Sequence, residues 1–276
     1  MEKRDAIKFV IEALEVRSNM GYSINEILNK DGIEKLLFNT CETCSNIKCV
    51  EIDIFNYLRS KQCDMSEISF DNVMIKGLDF TGFTGVKIDP FRKNLTMCTF
   101  NGVEFIGPFY GARIDTTDFT GSKGAIIDVS KLSEKSIVNS KMSDVTFIGS
   151  FENADLFEAN FKGSVGAKIN PKKLLFNDGL AGTVLDGVEF TEPISNCCID
   201  RADFTGSKNA VILADNIDSF RNIILTDAIV IGELNDKDCT GMVTDGAKFL
   251  GKLVTKEIET KKKIKRRNAY KGKHER

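Results

Sequence analysis

The stretch DFTGSKGAIID, residues 118–128, returns three times along the chain with small changes. It reads DFTGFTGVKID at 79–89, NFKGSVGAKIN at 160–170 and DFTGSKNAVIL at 203–213. Its phenylalanines, Phe80, Phe119, Phe161 and Phe204, are spaced 39, 42 and 43 apart, and each is followed eight residues later by an isoleucine: Ile88, Ile127, Ile169 and Ile212. A finer period runs inside the long one. From Phe105 the apolar positions Phe109, Ile114, Phe119, Ile127, Leu132, Ile137, Met142 and Phe147 advance by 4, 5, 5, 8, 5, 5, 5 and 5.

A five-residue step matches neither the 3.6 of a helix nor the 2 of a plain strand. It fits a chain that turns a corner every five residues and sends one bulky plug inward on each side. Small residues stand two places before many plugs, among them Ala154, Ala159, Ala202, Val103, Val145 and Val188, and an acidic residue often stands directly before. Four such sides close a coil of about twenty residues, and coils stack at roughly the 4.8 Å strand spacing. Each long repeat is then two coils. The phrase quoted above marks the one side per double coil that is three residues too long. That side is expected to bulge outward, with Ser122, Lys123, Ser207 and Lys208 at the tips as candidate binding residues. The equivalent tip residues are Phe83 and Thr84 in the first copy and Ser164 and Val165 in the third. Five places after each Phe stand Gly85, Gly124, Gly166 and Asn209, the residue types a left-handed backbone position requires. Phe80, Phe119, Phe161, Phe204, Ile127 and Ile169 are expected in the core.

The runs Ala154-Asp155-Leu156-Phe157-Glu158, Ala159-Asn160-Phe161-Lys162-Gly163 and Ala202-Asp203-Phe204-Thr205-Gly206 resemble the pentapeptide-repeat proteins. The resemblance covers about residues 63–250. It implies an all-β solenoid, a right-handed quadrilateral β-helix, and a non-enzymatic scaffold for protein interaction. Some members of the family imitate duplex DNA and bind gyrase or related topoisomerases, which is the alternative the resemblance carries.

The ends do not follow the five-step. Residues 1–62 read as a small helical cap, since a solenoid must cover its first coil. Ile7, Val10, Ile11 and Leu14 share a helix face, Ser23-Ile24-Asn25-Glu26 has the form of a capping box, and Asp31 could open a further helix ending near Phe38. Residues 251–276 read as a basic tail. From Lys252 onward there are 11 Lys and Arg against 3 Asp and Glu, so a +8 tail follows a −10 body. Such an arm could meet nucleic acid or an acidic partner.

Composition narrows the chemistry. The one histidine, His274, lies in the tail, so a His-dependent triad in the body is impossible. No phosphate loop or dinucleotide fingerprint is present, and no catalytic residue or cofactor is expected. Cys41-x2-Cys44-x4-Cys49 invites a zinc reading, but Cys63, Cys98 and Cys197 fall in the small inward slot and read as core. No metal is expected. The N-terminal stretch carries charge through its apolar run, so the chain is expected in the cytoplasm and off the membrane. A protein partner is expected, and a homodimer is possible.

Overall fold

The structure, a computed structural model, describes residues 3–20, 37–41, 44–175 and 179–251. The helices expected from Ser23 and Asp31, and the basic tail after Gly251, lie outside the described residues. The chain divides into two compact units, residues 1–148 and 149–276.

The first unit opens with helix α1 (Lys3–Asn19), strands β1 (Phe38–Cys41) and β2 (Cys44–Val50), and helix α2 (Ile52–Ser60). The cap is therefore not purely helical. β1 and β2 form an antiparallel hairpin, and Lys48 and Cys49 of β2 pair in parallel with Val73 and Met74 of the first coil. A helix spends its backbone N–H and C=O groups on itself. The open edge of a first coil needs a strand to pair its own. Phe38 thus begins a strand. α2 closes the mouth of the solenoid: Ile54, Phe55 and Leu58 are buried, and the Phe55 ring meets Phe80 edge-on at 5.3 Å and Phe83 at 4.9 Å. Arg59 of α2 forms an ion pair with Asp79 of the coil beneath.

Beyond the cap, each unit is a β-solenoid. Its strands are two or three residues long, and every solenoid strand pairs in parallel with the coil before or after it. One column in the first unit links Asp79, Thr99, Asp118 and Lys141, with partners 19 to 23 residues apart. The next residues, Phe80, Phe100, Phe119 and Met142, all point inward and are fully buried. Ring centroids lie 5.7 Å apart for Phe80 and Phe100 and 5.4 Å for Phe100 and Phe119. In the second unit Asn160, Val184, Asp203, Ile224 and Val243 form the matching column over the plugs Phe161, Leu185, Phe204 and Leu225. Phe100 stands between Phe80 and Phe119, so the long repeat is two coils.

Most corners have the form of type II turns. The N–H three residues after a plug donates to the plug carbonyl, as in Ser122 to Phe119 (2.9 Å) and Ala159 to Leu156 (2.9 Å). The residue between, two after the plug, takes positive φ: +78° at Gly121 and +55° at Glu158. The i+3 residue turns inward and is small at most corners, though Leu78 and Phe83 are also buried in this slot. Cys63, Cys98 and Cys197 are buried there, and the Cys98 thiol donates to the Ile75 carbonyl.

Candidate interaction face

The long sides do not bulge outward. Ser122 and Ser207 are i+3 residues of ordinary corners and point inward, 6 % and 8 % exposed. Phe83, in the same slot of the first repeat, is buried against Phe55. The expected tip serines are therefore core residues. Their spacing, three after Phe119 and Phe204, is the signal that gives this away. Lys123 and Lys208 are exposed but lie flat on the preceding coil, opposite Glu104 and Glu189. Phe105 N donates to the Lys123 carbonyl at 2.8 Å, and Phe190 N to the Lys208 carbonyl at 2.9 Å.

Three extra residues are absorbed because the long side pairs in both directions. In the first unit its early part, around Lys123, stacks on the coil before. Its later part, the strand Ile126–Asp128, pairs with the strand Thr146–Ile148 of the coil after. Between them the five-step would place a plug at residue 124. Gly124 stands there at φ +70°, and a Cβ on it would meet the Phe105 carbonyl oxygen at 2.7 Å. Asn209 takes the same role in the second unit at φ +57°. Ala125 and Ala210 then turn inward and are buried. A short 3-10 turn ends three of the four long sides, over Val129–Lys131, Pro171–Lys173 and Ala214–Asn216.

The core positions Phe80, Phe119, Phe161, Phe204, Ile127 and Ile169 are all fully buried. The thiols buried in the corner slots are held protonated by that burial: Cys63 and Cys98 are pushed up to about 11 and Cys197 to about 12. Such thiols are poor nucleophiles and poor metal ligands. Cys41 and Cys44 face one another across the hairpin turn, but their side chains lie outside the described residues. No group of three His, Cys, Asp or Glu side chains arranged to hold a metal occurs among the described residues. No described helix is long and apolar enough to cross a membrane.

What the long sides do build is a flat outward face. In the first unit it carries the row Lys87, Glu104 and Lys123, each on the coil above the last. Lys87 and Glu104 form an ion pair at 3.9 Å. The second unit repeats the row as Lys168, Glu189 and Lys208, with Lys168 and Glu189 at 3.5 Å. On the same face, strand alternation sends outward the residue after an inward plug. Several of these are polar, as at Asp89, Asp128 and Thr191, but four are exposed and apolar: Ile106 after Phe105 and Ile148 after Phe147 in the first unit, Ile231 after Val230 and Leu250 after Phe249 in the second. Ile126, before the plug Ile127, joins them. Ile106, Ile126 and Ile148 are 59 %, 52 % and 53 % exposed. The signal for them is in the sequence as apolar doublets that break the five-step; a period built on plugs alone passes over it.

No family model matches the chain, and no curated protein matches it. Among solved structures it is similar to HetL, a pentapeptide repeat protein involved in heterocyst differentiation regulation from the cyanobacterium Nostoc sp. strain PCC 7120. The identity is 16 %, over 63 % of this chain and 83 % of that one, with a TM-score of 0.23. The β-solenoid assignment rests on the coil stacking described above.

Proposed function

We propose that the protein is a non-catalytic interaction scaffold of the pentapeptide-repeat type, and that the flat face along the long sides meets a protein partner. The observation that carries this is the set of outward aliphatic side chains, Ile106, Ile126 and Ile148, gathered on one face of one unit. Single exposed apolar residues are ordinary, whereas several large ones on one side of a unit, beside a charged row, suit a contact surface. The solenoid supplies rigidity: its plugs are packed ring on ring, and its outer side chains are held at fixed coil spacing. The alternative, imitation of duplex DNA toward gyrase, calls for a face of one sign. The row on this face alternates Lys with Glu in both units, which favours the scaffold reading here.

The experiment is affinity capture from lysate with the full chain beside an Ile106→Asp/Ile126→Asp variant, with folding of both checked by circular dichroism. Loss of a specific captured protein with the variant supports the reading. Equal capture of every retained protein by both, a tagged second copy of this chain included, would overturn it. Gyrase subunits retained by both would revive the alternative.

A further inference from the structure

The row Lys87, Glu104, Lys123 reverses sign at every coil, about every 4.8 Å. A partner of uniform charge gains at one coil what it loses at the next. A surface that alternates at the same spacing, slid by one coil, gains at each. A second copy of this chain carries that surface. A two-fold axis falling between the coils of Glu104 and Lys123 sets each residue of this pair against the other in the second copy. The same axis brings Ile106, two residues after Glu104, toward Ile126, three residues after Lys123 on the long side. Apolar and charged contacts are then satisfied by one arrangement. Within a single chain Glu104 has Lys87 as its ion-pair partner, while Lys123 forms no ion pair among the described residues.

Resting on the scaffold reading, we propose that the occupant of the first unit's face is the same face of a second copy, in an isologous dimer. It pairs Glu104 with Lys123 of the other copy and packs Ile106 on Ile126.

The test is sedimentation velocity of the full chain over a concentration series, with circular dichroism to confirm that each variant folds. The wild type is expected to self-associate. Glu104→Lys places like charges opposite one another, and so does Lys123→Glu; each is expected to weaken association about tenfold or more. An equimolar mixture of the two variants opposes unlike charges at both contacts and should restore the dimer. The double variant Glu104→Lys/Lys123→Glu should restore it within one sequence. A monomeric wild type, single variants that associate like wild type, or failure of both rescues would each overturn the proposal. A monomeric wild type would leave the scaffold reading standing, since the lysate capture tests that separately.

Discussion

Serines in the corner slots divide into two kinds, and the difference is measurable. Ser140 Oγ donates to the Ile114 carbonyl at 2.9 Å and accepts from Thr117 N at 3.1 Å. Ser122 Oγ is also buried but has no hydrogen-bond partner among the described residues. Removing a paired buried hydroxyl strands its partners, whereas removing an unpaired one costs little or helps. Ser140→Ala is expected to lower stability by about 1–3 kcal/mol, and Ser122→Ala to leave it unchanged or raise it. Urea unfolding of the two variants side by side checks this, and the reverse order would refute it. Gly124 is a second residue-scale case. Any side chain there meets the Phe105 carbonyl and a backbone at φ +70°. Gly124→Val should cost at least about 2 kcal/mol in the same assay. A cost below that of an ordinary surface substitution would mean that the long side takes another path.

At the scale of the coil, stability lies in the inward column. Phe100 is fully buried between Phe80 and Phe119 and also meets Phe105 at 5.0 Å. Phe100→Ala removes three ring contacts at once and is expected to cost about 3–5 kcal/mol, read from chemical denaturation. A cost near 1 kcal/mol would show that the coil collapses to fill the gap. Coils are also tied on the outside. Lys141 on one coil holds Asp118 on the coil before it at 2.8 Å. Burial pushes the Asp118 carboxyl up, but hydrogen bonds from Lys141 and Thr120 outweigh this, and its pKa is lowered. A lowered carboxyl contributes stability above its unfolded value and loses it as pH falls through the folded one. Asp118→Asn should therefore lower Tm near neutrality, with the difference shrinking toward about pH 3. A difference that does not change with pH would assign the effect to packing instead.

At the scale of the whole chain, both units carry thiols that folding keeps protonated: Cys63 and Cys98 in the first, Cys197 in the second. A thiol freed by unfolding has a pKa of about 8.5. Raised in the fold, these groups contribute stability fully below that value and lose it as pH climbs toward about 11 and 12. Unfolding free energy should fall above about pH 9, and less steeply in a Cys98→Ala/Cys197→Ala variant. A thiol reagent at pH 8 should label these residues slowly until urea is added. Rapid labelling of the native protein would contradict the packing described.

The five-step and its recurring phrase were enough to read a coiled solenoid, two coils per long repeat, the buried Phe and Ile plugs, and a left-handed position at Gly124 and Asn209. They suffice because a plug's period is local: side count and corner geometry follow from residues a few places apart. Three features were decided by tertiary structure. The cap needed a strand because the first coil presents an edge, and nothing within CSNIKCV (44–50) announces that edge. The long side 118–128 lies flat because its early half pairs with the coil before and its later half with the coil after, each about twenty residues away. The mixed charged and apolar face exists because stacking brings Lys87, Glu104, Lys123 and the outward isoleucines onto one side, and register between coils is a long-range property that no single repeat contains.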